Sequence, residues 1–250
     1  MNDFSAPRPA PRLYCDLNLA AGARVELPER VAKHVQALRL RVGDKIALFR
    51  GDGAEWSATL SAISKRGTEA DIHQRTVKDV ESPLQLHLLQ GICAGDRMDL
   101  VLQKATELGV ASIQPLVTTR SIVRLSADRQ EKRETHWQNV VIAACEQCGR
   151  NTIPEVKSSL SLPEFLGASP KDGTRLLLSP QGEKRVRDLS LRDGEPILIL
   201  IGPEGGLAPD ERQLVQDFGF STVRFGPRVL RTETAPLAAL AAMQALWGDC

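Results

Sequence analysis

Long apolar runs are absent from this sequence, which excludes a helix that spans a membrane. No segment approaches the roughly 18 consecutive apolar residues needed to cross a bilayer, and the N-terminal residues contain no apolar core of a signal peptide. Cysteine is also scarce, with five residues, an odd number, that lack the spacing of a disulfide framework. Such cysteine usage is typical of a reducing compartment. We therefore expect a cytoplasmic protein with no membrane partner.

Clusters of metal-ligating residues are absent as well. The four histidines are scattered and share no ligand spacing. Cys145 and Cys148 form a C-x-x-C pair, but neither a second pair nor a redox context accompanies it. The pair lies near the end of a helix-like stretch, where a spacing of three residues brings side chains together for packing. We expect these residues to be structural, and we predict no metal site.

Net charge says little about the partner of this protein. The formal net charge is +1, and residues 1–75 contain 12 Lys and Arg against 9 Asp and Glu. This weak basic excess in the N-terminal part is compatible with RNA binding but does not establish it.

The first third of the chain has the pattern of a small β-structure. Apolar residues alternate on both sides of Gly51–Gly53, which predicts a hairpin with turn residues at its tip. A helix is predicted after Pro28 by apolar residues at helical spacing. The residues at this spacing are Val31, His34, Val35 and Leu38. We predict a β-barrel domain over residues 1–75 and a linker over residues 76–83.

From Leu84 onwards, strands alternate with helices. Apolar strands such as Ile197–Ile201 are followed by amphipathic helices, of which Asp96–Gly109 is one example. Continuous apolar strands that alternate with helices indicate a parallel sheet covered on both faces. We predict a single α/β domain over residues 84–250.

A glycine-rich corner, Gly202–Gly206, follows the strand Ile197–Ile201. Ligands of a parallel sheet bind beyond the carboxyl ends of its strands, and glycines let backbone groups approach a ligand closely. The known phosphate loops do not fit, because the G-x-x-x-x-G-K-[ST] and G-x-G-x-x-G patterns are both absent. The corner also carries Glu204, where a phosphate requires donors or cations. It favours a nucleoside-like cofactor, although a tight turn without a ligand explains the glycines equally well.

A second loop, Phe225–Pro236, contains several charged residues and leads into a helix rich in Ala and Leu. A helix that is apolar all round is usually buried, so we expect this loop to lie against a packed interior and Thr234 to cap the helix. Arg231 and Glu233 then either form a buried ion pair or take part in the chemistry of the site. The loop alone favours neither.

Several motifs, taken in order along the chain, resemble one family. Two motifs near the C-terminus support this resemblance most strongly, "LIGPEGGLAPDE" followed by "FGPRVLRTETA". Further support comes from "LRLRVGDKIALFRGDG", "DRMDLVLQKATELGV", "TTRSIV" and "ACEQCGRNTIPEV". Together they closely resemble the RsmE family of 16S ribosomal RNA uridine-N3 methyltransferases, in the SPOUT superfamily. The resemblance extends over nearly the whole chain. Ala208 departs from it, because many relatives have a capping Ser or Thr there.

The resemblance implies both a fold and a reaction. The fold is α/β, with a PUA-like N-terminal β-barrel followed by a SPOUT α/β trefoil-knot domain; the knot rests on resemblance alone, since general topology rules disfavour knots. The donor is S-adenosylmethionine (AdoMet) and the assembly is a homodimer. The partner is 16S rRNA of the small ribosomal subunit, methylated at N3 of one specific uridine. A SPOUT ribose 2′-O-methyltransferase and a non-catalytic RNA-binding protein remain as alternatives.

The resemblance also implies which residues form the site. Three loops are expected to fold around AdoMet, with Leu178, Ile201, Gly202, Pro203, Glu204, Gly205, Gly206, Val229, Leu230, Thr232, Thr234 and Ala235 as cofactor-binding residues.

Methylation at N3 needs a proton acceptor and a cation for the charge on the uracil oxygens. We assign these roles to Glu233 and Arg231. Arg120 is a further candidate catalytic residue that orients the base or the partner subunit, as Glu146 and Arg150 also could. The predicted RNA-binding residues are Arg39, Arg41, Lys45, Arg50 and Arg150.

Overall fold

A computed structural model describes residues 10–121, 127–170 and 172–250. The contacts divide them into two compact units. The first consists of the residues up to Glu81 together with Cys145–Ile153, and the second consists of Ser82–Ala144 and Pro154–Cys250. The sequence does not indicate that a short segment from the middle of the chain belongs to the first unit.

The first unit contains a five-stranded mixed sheet and one helix. The elements are β1 (Arg12–Tyr14), β2 (Arg24–Glu26), α1 (Glu29–Ala37), β3 (Lys45–Phe49), β4 (Ala54–Ile63) and β5 (Thr68–Val77). The strand order is β1-β3-β4-β5-β2, in which only β1 and β3 pair in parallel. Strand β5 includes the first two residues of the predicted linker.

The predicted hairpin is confirmed in the pairing of β3 and β4. Ile46 lies opposite Ala58 and Leu48 opposite Trp56, and Gly51 and Gly53 form the turn with φ of 88° and 80°. Ile46, Leu48 and Ala58 are buried in one apolar core together with Val31 and Val35 of α1.

Leu38 has the helical spacing but lies just beyond the end of α1. The helix ends at Ala37, and the Leu38 side chain is 45% exposed. The helical period carries Leu38 toward the core only if the helix continues, and the turn that follows α1 points this residue outward.

The second unit is built on an eight-stranded sheet with helices between its strands. The elements are β6 (Leu86–Gly91), α2 (Asp96–Glu107), β7 (Ser112–Val117), α3 (Ala127–Cys148), β8 (Glu155–Val156), β9 (Leu160–Ser161), α4 (Leu162–Ala168), β10 (Thr174–Leu178), β11 (Lys184–Arg185), a 3-10 turn (Val186–Asp188), β12 (Ile197–Ile201), α5 (Pro209–Asp217), β13 (Ser221–Arg224) and α6 (Thr234–Trp247). The strand order is β11-β13-β10-β12-β6-β7-β8, and β9 also pairs with β7.

All strand pairs described in this second sheet are parallel, as predicted from the continuous apolar strands. In the register, Leu200 of β12 lies between Leu177 of β10 and Leu89 of β6. Because parallel strands end at the same edge, the segments that follow β10, β12 and β6 lie next to each other. The predicted α/β fold class, with a mostly β unit before it in the chain, is confirmed.

The apolar composition of helix α6 predicts that it is covered by its own domain or by a partner, and its own chain covers only part of it. One face is covered, with Ala239, Leu240 and Met243 inaccessible to solvent, but Leu246 is 51% exposed. A helix that is apolar on every face needs cover on two sides, and the second unit supplies only one. Thr234 is also not a capping residue, because it is the first residue of the helix and no side chain caps this end.

The helices in the described ranges include none that is both long and apolar enough to cross a bilayer.

Candidate active site

A cleft of about 650 Å³ lies in the second unit, beyond the carboxyl ends of β10 and β12. This volume is in the range of small-molecule sites. Three segments form most of its wall: Leu177–Gln181 after β10, Ile201–Leu207 after β12, and Arg228–Glu233 before α6. The cleft lies where an open parallel sheet commonly binds ligands.

Most of the predicted cofactor residues line this cleft. They are Leu178, Ile201, Gly202, Pro203, Glu204, Gly205, Gly206, Val229, Leu230, Thr232 and Ala235. Arg231 and Glu233 also line it. Thr234 is not among the lining residues, since it is an exposed residue in the first turn of α6.

The glycine corner is packed backbone against backbone. A Cβ atom on Gly91, the last residue of β6, would lie 2.6 Å from the backbone N of Pro203. A Cβ atom on Gly202 would lie 3.1 Å from the backbone of Gly206 and from the N of Leu207. The corner therefore depends on a glycine in the neighbouring strand as well as on its own glycines.

Glu204 is held by one of its carboxylate oxygens. Its Oε1 accepts hydrogen bonds from the N–H of Ala94 and from Nη1 of Arg97, both at 2.9 Å. Its Oε2 is buried and has no hydrogen-bond partner among the described residues. Burial raises the pKa of Glu204, but the hydrogen bonds from Ala94 and Arg97 outweigh this and hold the pKa below its ordinary value. The site thus contains an ionised carboxylate with one unused acceptor.

A buried polar chain connects the walls of the cleft. The hydroxyl of Thr232 donates to the carbonyl of Gly202 at 2.8 Å. Nε2 of Gln90, on β6, donates to the Thr232 hydroxyl at 3.3 Å and to the carbonyl of Gly91 at 2.9 Å. These bonds fix the loop before α6 against the corner after β12.

The neighbouring thiol of Cys93 does not provide a nucleophile. Burial and the negative charge of Glu204 raise the pKa of Cys93 to about 12, so the thiol stays protonated at neutral pH.

The expectation that Arg231 lies against a packed interior is wrong for the single chain. Its side chain is 81% exposed, whereas that of Glu233 is 15% exposed. Their charged groups are 4.0 Å apart, at the limit of an ion pair. Glu233 immediately precedes α6, where the helix dipole favours a negative charge.

Arg120 supports the corner from its other side. Its Nη1 donates to the carbonyl of Gly205 at 2.7 Å. The buried carboxylate of Glu211 accepts from the N–H of Thr119 at 2.8 Å and from the N–H of Ala208 at 2.9 Å. Glu211 thus satisfies the backbone at the start of α5, where Ala208 offers no capping oxygen.

The predicted RNA-binding residues of the first unit fall into two groups. Arg39, Arg41 and Lys45 are exposed, and Arg50 is partly buried. Arg150 is 6% exposed, and its guanidinium contacts the Glu81 carboxylate at 2.5 Å. We therefore correct the assignment of Arg150: its role is structural, because a buried and paired guanidinium is not available to phosphates.

Glu146, considered for orienting the base, also has a structural role. Its Oε1 accepts the N–H of Tyr14 at 2.9 Å, its Oε2 lies 3.4 Å from Nδ1 of His34, and its side chain is 8% exposed.

Several cleft residues were not among the cofactor-binding residues named from the sequence, although four of them lie in loops that the sequence indicated. They are Arg97, Leu177, Ser179, Pro180, Gln181, Leu207, Arg212, Val223, Phe225 and Arg228. Most of them end or follow strands that the sequence did identify. Because ligands bind at the carboxyl ends of parallel strands, the ends of all these strands could have indicated these residues. Arg97 had no such signal, because its contact with Glu204 depends on the adjacency of β6 and β12.

The described residues contain no group of three or more His, Cys, Asp or Glu side chains that could hold a metal ion.

Comparisons with known proteins agree with this architecture. Residues 27–72 match the RNA methyltransferase PUA domain family. A curated relative from Buchnera aphidicola subsp. Schizaphis graminum, "Ribosomal RNA small subunit methyltransferase E", is 32% identical over 240 residues, which cover 96% of this chain and 97% of the relative.

Two solved structures resemble the whole chain. Ribosomal RNA small subunit methyltransferase E from Neisseria gonorrhoeae, bound to S-adenosyl methionine, is 44% identical with a TM-score of 0.89, over 96% of this chain and 99% of that one. A protein from Legionella pneumophila, in complex with the bound cofactor SAM, is 38% identical with a TM-score of 0.93, over 97% and 100%. Residues 80–244 match the RNA methyltransferase domain family, and with these relatives the chain belongs to the family of ribosomal RNA small subunit methyltransferase E.

Proposed function

We propose that this protein transfers the methyl group of AdoMet to N3 of a specific uridine in 16S rRNA of the small ribosomal subunit. Residues 84–250 form the catalytic domain in this proposal, and residues 1–75 hold the RNA. The observation that carries it is the cleft at the carboxyl edge of β10 and β12, with its backbone corner and its ionised Glu204. Because the proposed substrate is rRNA of the small ribosomal subunit, the protein is expected to act in the cytoplasm.

The residues of the cleft fit AdoMet. When bound, AdoMet supplies an electrophilic methyl group on a positively charged sulfur. The backbone groups of the Gly202–Gly206 corner and the apolar side chains of Leu178 and Leu230 suit an adenosine, which needs apolar walls and backbone hydrogen bonds. The unused Oε2 of Glu204 suits a hydroxyl or ammonium donor. Among the described residues that line the cleft, the cation that pairs with Glu204 is Arg97, and it contacts only the other carboxylate oxygen, Oε1.

Glu204 provides the first test of the cofactor site. We expect Glu204→Gln to weaken AdoMet binding about tenfold, because it removes a negative charge from a partly desolvated cleft. Binding of S-adenosylhomocysteine, which lacks the sulfonium charge, should weaken less. Calorimetry with both ligands measures the difference. Glu183→Gln, at an exposed carboxylate of the same unit, is the matched control, and equal affinities for the variant and the wild type contradict this role of Glu204.

The chain's own residues provide the acid–base chemistry. N3 of uridine is a poor nucleophile until its proton is removed, so a general base is required. Glu233 fits this role because its carboxylate lines the cleft and is largely shielded from solvent, with 15% of the side chain exposed. Arg231, exposed on the same loop, is available to the uracil oxygens as negative charge develops there. Arg120 acts as a positioning residue through its bond to Gly205.

A homodimer is part of the proposal, and the exposed face of α6 is its proposed interface. Leu246 of α6 and Leu100 of α2 are 51% and 40% exposed, and they belong to two helices that contact each other. Large exposed apolar patches usually mark an interface, and we propose that these two side chains belong to one.

The dimer is tested by light scattering. We expect the wild type to have the mass of two chains and Leu246→Glu to have the mass of one, because a carboxylate is costly in an apolar interface. Val77→Glu, at an exposed valine of the first unit, should leave the dimer mass unchanged. A wild-type monomer with full activity contradicts the proposed assembly.

The overall activity is tested by transfer of labelled methyl from AdoMet to small-subunit rRNA, both as free RNA and in unmodified subunits. Incorporation into either substrate supports the proposal. Binding of RNA without incorporation into either one supports the alternative of a non-catalytic RNA-binding protein.

A further inference from the structure

A second cavity, of about 710 Å³, lies in the second unit and shares no described lining residue with the cleft. It is found beyond the carboxyl ends of β6 and β7, where Ile92 and the segment 117–119 line it. Its other walls come from α3, from residues 159–163 and from the first turns of α5. The volume is that of a small-molecule site, and the position is the ligand-binding edge of the sheet.

Arg133 of α3 provides a donor without an acceptor in the wall of this cavity. Its guanidinium carbon lies 5.8 Å from the ring centroid of Trp137, one helical turn further on, which holds the side chain in place. Nη1 of Arg133 is buried and has no hydrogen-bond partner among the described residues. The neighbouring carboxylate of Glu134 is engaged elsewhere, because its Oε1 accepts the N–H of Ser159 at 2.7 Å. A buried donor without a partner is costly, so its presence in a cavity wall indicates an acceptor on a ligand.

The charges of the lining indicate the class of ligand. The charged residues in its described part are Arg133, Asp210 and Glu211. Two carboxylates against one guanidinium disfavour a phosphate or another anion. The apolar part of the wall consists of Ile92, Val117, Trp137, Pro163 and Leu214. A neutral, flat group with apolar faces and acceptors on its edge fits these walls, and a nucleobase is such a group.

The cavity and the cleft are neighbours on one edge of the sheet. Thr119 lines the cavity, and the next residue, Arg120, donates to the carbonyl of Gly205, which lines the cleft. Proteins that recognise single-stranded RNA commonly splay adjacent bases apart and bind them separately. An RNA that presents one base at the cleft can therefore place a nearby base in the cavity.

We infer that this cavity binds a base of the RNA substrate close to the target uridine, with Arg133 donating to an acceptor on the edge of that base. Arg133 is then a specificity-determining residue that selects the sequence around the target and takes no part in methyl transfer. The inference rests on the proposed function, because it assigns a second base of the same RNA to a second site.

A set of substituted RNAs tests the inference through binding. Transcripts of small-subunit rRNA carry single base replacements near the target uridine, and the affinity for each is measured with S-adenosylhomocysteine present. We expect one replacement to weaken binding to the wild type about tenfold. Arg133→Gln should bind the unaltered RNA about tenfold more weakly and should no longer distinguish that replacement, because the contact is already lost. Its single-turnover methyl transfer at saturating RNA should stay within about threefold of wild type.

Three further variants separate base recognition from charge and from folding. Arg133→Lys keeps the charge but not the planar fork of donors, so it should lose the discrimination as Arg133→Gln does. Thr119→Phe adds a ring at an exposed position of the wall and keeps the backbone N–H that Glu211 accepts. It should weaken binding of the same RNA, which tests the cavity independently of the folding of the Arg133 variants. Arg129→Gln is the matched control, because it removes an exposed guanidinium from the same helix.

The outcomes distinguish this inference from the proposed function. Loss of discrimination at one position in both Arg133→Gln and Thr119→Phe, with discrimination kept in Arg129→Gln, supports the inference. Wild-type discrimination in both variants, an equal loss in Arg129→Gln, or a wild type that distinguishes no nearby base overturns it. Full binding by Arg133→Lys overturns it as well, because a phosphate contact then explains the loss in Arg133→Gln. If the wild type distinguishes a nearby base but leaves N3 of uridine unmethylated, the proposed function fails and the inference stands. If it binds no small-subunit rRNA, both fail.

Discussion

Replacement of Arg231 by alanine is expected to slow single-turnover methyl transfer about a hundredfold, while S-adenosylhomocysteine affinity stays within about threefold of wild type. The physical reason is that the Arg231 side chain is exposed and only weakly paired in the free protein. Arg231 is 81% exposed and 4.0 Å from its nearest carboxylate, so its ground-state interactions are weak. Its contribution then comes mainly from charge that develops on the uracil oxygens, and such interactions raise turnover rather than affinity.

A structural role for Arg231 predicts a different result. If its contact with Glu233 holds the loop, Arg231→Ala loses cofactor affinity and thermal stability together. Exposed ion pairs at such distances contribute about 0 to 1 kcal/mol, so we expect the unfolding midpoint to be unchanged. Arg187→Ala is the matched control, because Arg187 is 69% exposed and 3.9 Å from Asp188 in the same unit. Unaltered transfer by Arg231→Ala rules out the catalytic assignment.

Replacement of Gly91 by alanine is expected to reduce methyl transfer about a hundredfold and S-adenosylhomocysteine affinity at least tenfold. The added Cβ would lie 2.6 Å from the N and Cδ of Pro203 and 2.9 Å from the backbone carbon of Gly202. These are backbone and ring atoms, which cannot rotate away as the end of a side chain can. The corner therefore has to move, and with it the backbone groups proposed to hold the cofactor. Calorimetry and a single-turnover assay measure the two effects.

Two further glycines control for this experiment. Gly167→Ala adds a Cβ that meets nothing within 4 Å, in helix α4, and should leave affinity and rate unchanged. Gly202→Ala adds one at 3.1 Å from the corner's own backbone, and should produce a smaller loss in the same direction. A folded Gly91→Ala variant that binds S-adenosylhomocysteine normally shows that the corner is a turn without a cofactor role.

The parts of the fold that sequence predicts are those set by local patterns. The strand Ile197–Ile201 is uniformly apolar and its corner is rich in glycine, so both are visible without any partner. The positions of Gly109 and Gly219 mark the ends of α2 and α5, and both have positive φ in the structure. The resemblance to a family adds the identity of the loops around the cleft.

The parts that sequence did not predict depend on contacts between distant segments. Arg97 contacts Glu204 only because β6 and β12 are neighbours in the sheet. Arg150 pairs with Glu81 only because residues 145–153 belong to the first unit. The apolar composition of α6 indicates that the helix is covered. Composition does not indicate whether its own chain or a partner covers the second face.

The central claim is that the methyl group goes to N3 of one uridine, and mass analysis of nucleosides from rRNA tests it most directly. Unmodified small-subunit rRNA, free or in subunits, is incubated with the protein and AdoMet, digested to nucleosides and compared with a sample that lacks the protein. We predict a single new product, uridine methylated on the base at N3, formed about a hundredfold more slowly when Gly91→Ala replaces the wild type. A methyl group on the ribose, or no new methylated nucleoside from either form of the RNA, contradicts the account.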